Sequence, residues 1–386
     1  MTTSREILCC RTTLEILRTL CMIPPKGREL KPDKLFFLKW ALLMIITSVT
    51  LIGSCLHFIM SIKANIYIHL DVDIAIITSM ITVYIFSIYY FYKAKSSIQL
   101  YMHLSDFEEY GKPINYDKNN ELFDKMSFYH YIYLECLVLS ILILSSVIKS
   151  DECKRENLQY GIHEVCGLFA YTWMPFDIDY VPAKQIYICL QLFGTHYIYM
   201  VAGIISWIVV ETVQHIIVRI RHAKFLFLDA IQEKDSKKQR EKFSRAVRYH
   251  KTVLGLEDLL NEIFGMLMIS HLALSAPILG TAVFAILHGG SGSSLFICVG
   301  CLFALTMDCI SGQRLQNECI DVATAIYDSE WYNCNEDIKK DIWFVLMRCR
   351  MPMNLQARSF GAMNHVALLG VLKAAYSYVT LLTQVE

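Results

Sequence analysis

The last helix-forming stretch of the chain carries side chains whose types and spacing suit contact with water or ions. Small residues come first along one predicted helix face, and an apolar side chain and an amide come last. This face consists of Gly370, Ala374, Ser377, Leu381, Gln384 and Val385. One interpretation is close packing between helices, which small residues permit. The other is a pore repeated by symmetry, in which Leu381 blocks the path by dewetting and Gln384 contacts water after opening.

Lys373 lies beside this face, about midway along the same apolar stretch. A lysine at that depth in a membrane is costly unless its ammonium group reaches water or a carboxylate. We therefore expect Lys373 to line a water-filled vestibule rather than to contact lipid.

The 14 cysteines include no paired Cys-x-x-Cys set of the kind that holds zinc. Cys298 and Cys301 lie on one face of an apolar stretch, which favours buried structural thiols over metal ligands. Cys153 and Cys166 share one connection, where oxidation is possible if that connection lies outside the cell. A disulfide and two free thiols both remain open there, because sequence separation does not fix the geometry. No metal site and no cofactor are predicted.

Catalytic patterns are missing from the sequence. It contains no Gly-x-Ser-x-Gly elbow, no His-Glu-x-x-His pair and no phosphate-binding loop. His196 and His271 fall in apolar stretches, where an interior histidine with a satisfied ring is the simpler interpretation. The sequence therefore predicts no enzyme.

The elements that carry these residues have the composition of membrane helices. Hydrophobic residues make up 55% of the 386 residues and charged residues 19%, whereas soluble domains carry about 25% charged residues. Seven apolar runs are long enough to cross a bilayer, which takes roughly 20 residues. They lie at 36–60, 72–92, 128–148, 185–210, 264–287, 294–312 and 362–383. The N-terminal segment does not have the pattern of a signal peptide. We expect an all-α, polytopic membrane protein with seven transmembrane helices.

The distribution of Lys and Arg predicts the orientation of the chain. The connections on one side of the membrane hold 29 of these residues and those on the other side hold five. The richer side is cytosolic by the positive-inside rule. With an odd number of spans, the N-terminus is expected in the cytosol and the C-terminus, at Glu386, outside the cell. A G-protein-coupled receptor has the reverse orientation, so we exclude that class and expect no G protein as partner.

These assignments divide the chain into four parts. Residues 1–35 form a cytosolic N-terminal segment, and residues 36–310 form six spans with a ligand bundle on the extracellular side and a cytosolic helical extension at 211–262. Residues 311–361 form a cytosolic anchor region with a helix at about 337–350, since Pro352 cannot continue it. Residues 362–386 form the last span. We interpret the basic run in 211–262 as a solvated helix surface, and we expect no nucleic-acid partner.

The outer halves of the second, third, fourth and sixth spans predict a cavity for a small ligand. Their inward sets are rich in aromatic, thioether and aliphatic side chains with few hydrogen-bond donors, which suits a small, uncharged, apolar molecule. Ordinary packing between helices is the alternative for each residue. The candidates are Ile77, Met80, Ile81, Tyr84, Ser140, Ile143, Leu144, Phe193, His196, Tyr197, Met200, Phe296 and Val299.

Several segments resemble insect odorant receptors. The closing SYVTLLTQV is similar to the Thr-Tyr-five-apolar-Gln-Phe ending of insect chemoreceptors, although Ser377 replaces Thr and Val385 replaces Phe. The longer LLGVLKAAYSYVTLL looks closer to odorant than to gustatory receptors. Three further segments agree, namely GQRLQNECIDVATAIYDSEWYN, MPFDIDYVPAKQIYICLQ and VRYHKTVLGLEDLLNEIF. The resemblance covers about the C-terminal two thirds of the chain well and the N-terminal third mainly by topology.

The resemblance implies an odorant-tuning subunit of a ligand-gated, non-selective cation channel in the plasma membrane of olfactory sensory neurons. Its partners would be a small volatile odorant, the lipid bilayer and the odorant co-receptor, with which it would form a heterotetramer. Matching the endings puts the gate on Leu381, Gln384 and Val385 and the rest of the pore lining on the smaller residues of the same face. A gustatory receptor channel is the alternative within this class. A membrane transporter is the alternative from another class, although the internal repeats typical of transporters are not found.

Overall fold

The computed structural model of the chain describes residues 7–30, 32–65, 70–287 and 292–385. These residues form α-helices, with two short 3-10 helices and no β-strand among them, and the longest connection, 161–182, joins α4 to α5. The helices are α1 (Arg11–Thr19), α2 (Lys34–Lys63), α3 (Leu70–Leu104), α4 (Tyr116–Tyr160), α5 (Ala183–Gln232), α6 (Ser236–Leu254), α7 (Leu256–Leu287), α8 (Gly292–Tyr327), α9 (Glu336–Cys349) and α10 (His365–Val385). The all-α class predicted from the sequence is confirmed.

Seven helical segments of the described chain are long and apolar enough to cross a membrane, as predicted. They lie in α2, α3, α4, α5, the α6–α7 pair, α8 and α10. The orientation of the chain across the membrane stays a prediction.

Local signals explain where several helices begin and end. The carboxylate of Asp235 accepts hydrogen bonds from the backbone N–H groups of Lys237 and Lys238, which caps the start of α6. Gly161 follows α4 with φ 64°, a left-handed conformation that glycine adopts without strain. α9 ends at Cys349, shortly before Pro352, so the observed helix lies within one residue of the range expected from the sequence.

α5 is the central helix of the bundle. It packs against α2, α3, α4, α6 and α8, while α7 packs against α3, α8 and α10. Of the residues in the apolar part of α5, 83% are buried, whereas the buried fraction is 17% in the apolar part of α2 and 11% in that of α10. The last helix therefore contacts the bundle along one narrow side, through buried Val371 and Ala375, and presents the rest of its surface outward.

Candidate functional site

A cavity of ≈ 170 Å³ lies inside the bundle, between α3, α4, α5, α7 and α8. Its wall is formed mostly by apolar side chains from these five helices and by Phe169 from the connection that precedes α5. From α3 and α4 the lining residues are Ser79, Thr82, Val83, Phe86, His130, Tyr133, Leu134, Leu137, Val138, Ile141 and Leu142. From α5, α7 and α8 they are Thr195, Tyr199, Ala202, Gly203, Ser206, Trp207, Val210, His271, Ser275, Ile278, Phe296, Ile297, Gly300, Cys301, Phe303, Ala304, Met307 and Asp308.

Helical spacing explains how these residues come together. The α5 contributors Thr195, Tyr199, Ala202 and Ser206 follow one another every three or four residues, so they share one helix face. The α8 contributors show the same spacing from Ile297 through Cys301 and Ala304 to Asp308. Because both faces turn toward the same space, the cavity extends along the two helices rather than across them.

Several polar groups at the cavity wall pair with neighbouring side chains, whereas Oγ1 of Thr195, Oγ of Ser275 and Nε2 of His130 have no hydrogen-bond partner among the described residues. The hydroxyl groups of Ser79 and Tyr199 are 2.7 Å apart and join α3 to α5. The Nε1–H of Trp207 donates to the hydroxyl of Ser127 over 2.8 Å. The ring of His130 stacks on that of Trp207, with centroids 4.4 Å apart. These contacts hold the aromatic side chains in place, so most of the wall offers a ligand an apolar, fixed surface.

One end of the cavity carries an acid and an imidazole. Nδ1 of His271 on α7 is 2.8 Å from Oδ2 of Asp308 on α8, and the hydroxyl of Ser206 on α5 donates to the same oxygen over 3.4 Å. All three side chains are buried. Three of the five helices around the cavity, α5, α7 and α8, are thus joined by one polar cluster.

Of the pocket residues predicted from the sequence, the structure brings Phe296 to the cavity wall. The side chain of Leu144 lies outside the described residues. Met80 and Met200 are buried in the core away from the wall, Ile77 is half-buried, and five further candidates are exposed on the outside of the bundle. These five are Ile81, Ser140, Ile143, Phe193 and Val299.

The remaining three candidates have hydrogen-bond partners away from the cavity. The hydroxyl of Tyr84 donates to Thr47 on α2 over 2.6 Å, and that of Tyr197 donates to the carbonyl of Leu20 over 2.7 Å. Nε2 of His196 is 2.8 Å from a carboxylate oxygen of Glu135 on α4. In the structure their polar groups therefore join neighbouring elements, and the three side chains are not part of this cavity wall.

Sequence reasoning missed the residues that do line the polar end of the cavity. Asp308 falls inside the sixth apolar run, where an acidic residue is costly and typically marks a functional site. That cost is the signal that could have identified it. His271 was recognised as an interior histidine, and its partner is this same Asp308.

The pore face predicted on the last helix is exposed. Gly370, Ala374, Ser377, Leu381 and Gln384 all lie on the outward surface of α10, and the side chain of Leu381 is 58% exposed. Lys373 is also exposed beside this face. The side chain of Val385 lies outside the described residues. An outward apolar face on a membrane helix suits contact with another subunit or with lipid.

Cys153 and Cys166 form a disulfide, with their Cα atoms 5.5 Å apart. Asn157 reinforces the connection, since its side chain exchanges two hydrogen bonds with the backbone of Glu164, at 2.8 and 3.0 Å. His57 on α2 then joins this connection to α3, with Nε2 3.1 Å from Glu164 and Nδ1 2.7 Å from Asp73. Disulfide and imidazole together hold one end of the helix bundle.

A second buried cluster lies where α1 packs on α5. Cys10, Glu211 and His215 each have one possible metal-binding atom here, and these three atoms lie within 4.8 Å of one another. All three side chains are buried. Burial, a side-chain hydrogen bond between Cys10 and Cys9 and the nearby carboxylate of Glu211 raise the pKa of the Cys10 thiol well above its ordinary value. These are the described residues whose chemistry could hold a metal ion.

Comparisons with known proteins agree with the fold. A family model described as 7tm odorant receptor matches residues 70–376. Odorant receptor 47b of Drosophila melanogaster is 21% identical over an alignment 386 positions long, which covers 95% of this chain and 89% of that receptor. Shorter alignments match 40% of this chain to 39% of odorant receptor 22c, at 26% identity, and 39% of this chain to 33% of the odorant receptor coreceptor, at 28% identity, both from the same species.

The chain is also similar to solved structures. The olfactory receptor OR5 from Machilis hrabei superposes with a TM-score of 0.79 at 12% identity, over 97% of both chains. The structure of that receptor in complex with eugenol gives a TM-score of 0.76 at 11% identity, over 97% of this chain and 98% of that one. The resemblance to insect odorant receptors stated from the sequence is confirmed, and the family match argues against the gustatory alternative. The chain belongs to the 7tm odorant receptor family.

Proposed function

We propose that the protein is the odorant-tuning subunit of a ligand-gated, non-selective cation channel. A small volatile binds in the cavity between α3, α4, α5, α7 and α8, and a pore lined by α10 opens in response. The observation that carries this proposal is the position of the cavity, whose wall includes the helices α7 and α8 against which α10 packs.

The cavity supports a small, neutral and mostly apolar ligand. Aliphatic and aromatic side chains form most of its wall, and the described lining contains neither Lys nor Arg. Such a wall gains free energy by removing apolar ligand surface from water. The relative OR5 has been solved in complex with eugenol, and we carry over from it the inference that this chain also binds a small organic molecule in its bundle.

Coupling from cavity to pore runs through α7. His271 of α7 is joined to Asp308 at the cavity, and one to two turns further on Pro277 interrupts the hydrogen bonding of the same helix. Beyond the proline, Gly280 permits the close approach of α10. A ligand that binds better to one packing of α7 and α8 shifts the population of that packing, and α10 moves with it.

The pore lining in this proposal is the exposed face of α10. Gly370, Ala374 and Ser377 line the wider part, and Leu381, Gln384 and Val385 form the gate. Leu381 excludes water in the closed channel, and the amide of Gln384 contacts water in the open one. One copy of α10 does not enclose a path, so the pore requires several subunits around a common axis.

The partner subunit is the odorant co-receptor, and the assembly is a heterotetramer in the plasma membrane of olfactory sensory neurons. The cytosolic anchor region at 311–361 supports such an assembly through α9, which exposes Trp343, Phe344 and Met347 on its surface, at 61%, 72% and 62%. Large apolar side chains grouped on one exposed helix face are typical of a protein interface. The N-terminus lies in the cytosol and the C-terminus outside.

Co-expression with an insect odorant co-receptor tests the proposal. Current is recorded from cells that express this subunit alone, the co-receptor alone or both, during application of a broad panel of volatiles. The proposal expects compounds that evoke cation current only when both subunits are present. Uptake of a panel compound by cells that express this subunit alone, without any current in the pair, would support a transporter instead.

A further inference from the structure

Asp308 is a buried carboxylate with one oxygen that has no hydrogen-bond partner in the described part of the chain. Its side chain is 0% exposed. Oδ2 accepts from Ser206 and lies 2.8 Å from Nδ1 of His271, whereas Oδ1 has no hydrogen-bond partner among the described residues. Leaving a buried carboxylate oxygen unpaired is strongly unfavourable, and more so in a membrane than at a surface. Because Asp308 lines the cavity, a molecule inside the cavity is the group that can pair with Oδ1.

The rest of the cavity does not provide that pairing. Asp308 is the only acidic residue among the described lining, and neither Lys nor Arg accompanies it. An imidazole protonated on Nδ1 donates to Oδ2 and so fixes the orientation of the carboxylate without engaging Oδ1. The acid is thus held in position by His271 and Ser206 while one of its acceptor sites stays free.

The opposite end of the cavity carries no charged side chain among the described lining. Along α8 the lining extends from Phe296 to Asp308, a length of about 18 Å at the rise of an α-helix. Between these two residues α8 contributes no charged group to the wall. A ligand that fills the space therefore meets a carboxylate at one end and a mostly aromatic and aliphatic surface along the rest, where Thr195 and Ser275 add hydroxyl groups.

We propose that Asp308 selects ligands by their hydrogen-bond donor. The ligand class is a small amphiphile with a hydroxyl or amine N–H at one end, donating to Oδ1, and an apolar body that extends toward Phe296. The inference rests on the proposed odorant function and names the chemistry that the cavity recognises. His271 and Ser206 act as positioning residues for the acid.

A matched ligand series tests this proposal in the co-expressed channel. The series holds one carbon skeleton constant and varies the end group between hydroxyl, primary amine, methyl ether and hydrogen. For wild type we expect the alcohol or the amine to activate at concentrations about tenfold to a hundredfold below the methyl ether, the effect of one hydrogen bond to a charged group. Whichever of the alcohol and the amine activates at the lower concentration then shows whether the cavity prefers a neutral donor or a protonated amine.

The variant Asp308→Asn removes the charge but keeps an acceptor oxygen, and the variant Asp308→Leu removes both. We expect Asp308→Leu to abolish the preference for the donor-bearing compounds and Asp308→Asn to reduce it. Phe296→Leu is the matched control at the apolar end, and it should shift alcohol and ether alike. An alcohol-to-ether ratio that is the same in wild type and in Asp308→Leu overturns the proposal.

Two further outcomes keep the test decisive. If the variants do not reach the cell surface, the wild-type series decides alone, because equal responses to alcohol and ether contradict the proposal. If no compound evokes current, the proposed channel function fails. Thermal unfolding of the purified chain then tests the inference separately, since stabilisation by the alcohol over its methyl ether supports it and equal stabilisation overturns it.

A different observation carries a second inference, at the contact between α1 and α5. Glu211 and His215 lie one turn apart on α5, and Cys10 directly precedes α1. Cys10, Glu211 and His215 are 0%, 2% and 3% exposed. Oε2 of Glu211 accepts from the hydroxyl of Thr13 over 2.5 Å, but Oε1 of Glu211 and Nε2 of His215 have no partner among the described residues.

We infer that these three side chains bind Zn²⁺ through Cys10 Sγ, Glu211 Oε1 and His215 Nε2. Thiolate, imidazole and carboxylate are the ligands that zinc takes in proteins, and three such ligands leave the fourth position for water. One ligand atom of each of these three side chains already lies within 4.8 Å of the ligand atoms of the other two. Arg219, one turn beyond His215, is engaged with the carbonyl oxygens of His103, Leu104 and Asp106. The ion would hold the N-terminal helix on α5.

Metal content of the purified full-length chain tests this second inference. After equilibration with Zn²⁺ and removal of excess, we expect about one zinc per chain, and a loss of at least tenfold in affinity for Cys10→Ser, Glu211→Gln and His215→Gln. Cys349→Ser, another buried thiol, is the matched control and should keep the metal. A variant that carries all three substitutions gives the background level of zinc, and a wild-type zinc content no higher than this background overturns the inference. If the variants do not fold, Co²⁺ added to wild type decides, because the absence of a thiolate-to-cobalt absorption band contradicts Cys10 as ligand.

Discussion

Gly280 of α7 and Tyr378 of α10 lie in direct contact. A Cβ atom added at Gly280 would lie 2.6 Å from the Cβ of Tyr378, which is closer than two non-bonded carbon atoms can approach. No residue other than glycine fits there without a shift of one helix against the other. Position 280 therefore sets the distance between the helix that borders the cavity and the helix proposed to line the pore.

Replacement of Gly280 by alanine should change gating. Overpacking of a close contact costs about 1–3 kcal/mol, which corresponds to about a 5-fold to 160-fold change in the equilibrium between two packings of the helix. We expect Gly280→Ala to shift the odorant concentration for half-maximal current, or the current without odorant, by at least fivefold. Recording of dose–response curves in co-expressing cells measures both quantities.

Gly255→Ala is the control for this change. Its added Cβ would meet ordinary contacts, with the nearest atom, the carbonyl oxygen of Thr252, 3.4 Å away. If Gly280→Ala and Gly255→Ala reach the cell surface as wild type does and both give the wild-type dose–response curve, α7 and α10 are not coupled at this contact.

Two neighbouring alanines on α10 distinguish a pore from simple helix packing. Ala374 is exposed on the proposed pore face, whereas Ala375 is 8% exposed and faces the bundle. In the open channel, a cysteine at position 374 should react with a charged, water-soluble thiol reagent and reduce the current by more than half. A cysteine at position 375 should react much more slowly. Equal rates at the two positions would show that the exposed face of α10 does not line the water path.

The gate proposed at Leu381 makes its own prediction. Dewetting depends on apolar surface around a narrow path, so a smaller or more polar side chain should admit water and ions. We expect Leu381→Ser to produce a current in the absence of odorant that exceeds the wild-type value several-fold. Leu369→Ser, an exposed apolar position nearer the start of α10, is the matched control. If the current without odorant is as small in Leu381→Ser as in wild type, Leu381 does not form the gate.

The exposed apolar side chains of α9 should support assembly. Replacing Trp343 and Phe344 by alanine removes large apolar surface that a subunit interface would bury. We expect at least a fivefold loss of co-purification with the co-receptor, without loss of the folded subunit. Lys340→Ala on the same helix should leave co-purification unchanged. Equal recovery of the double variant and of Lys340→Ala would exclude this face from the interface.

The disulfide between Cys153 and Cys166 should stabilise its end of the bundle. It closes a connection with a sequence separation of 13 residues, and a loop of that size contributes about 3 kcal/mol in the chain-entropy view. We expect the double variant Cys153→Ser/Cys166→Ser to unfold several degrees below wild type in a thermal assay of the purified protein. Cys136→Ser, an exposed free cysteine, should leave the midpoint unchanged. Equal midpoints for wild type and the double variant would remove the disulfide from the stabilising contacts.

The fold was predictable because long apolar runs cross membranes wherever they occur. The span count and α9 needed only length, apolar content and a proline signal. The cavity wall was not predictable in the same way, since these helices are apolar on every side and no hydrophobic face marks the interior. Tyr84, His196 and Tyr197 were assigned to the pocket for their polar groups, which in the structure bind neighbouring elements. Only the cost of a buried acid at Asp308 indicated the polar end of the cavity.

Gly300 on α8 gives the most direct test of odorant binding in the cavity. It lines the cavity, and an added Cβ would meet nothing within 4 Å, so a larger side chain can extend into the space without displacing a helix. The measurement is the odorant dose–response curve of the Gly300→Leu subunit with its co-receptor, at wild-type surface expression. We expect the concentration for half-maximal current to rise at least tenfold, because the leucine occupies the volume of the ligand. A curve identical to that of wild type would contradict the claim that the odorant opens the channel from this cavity.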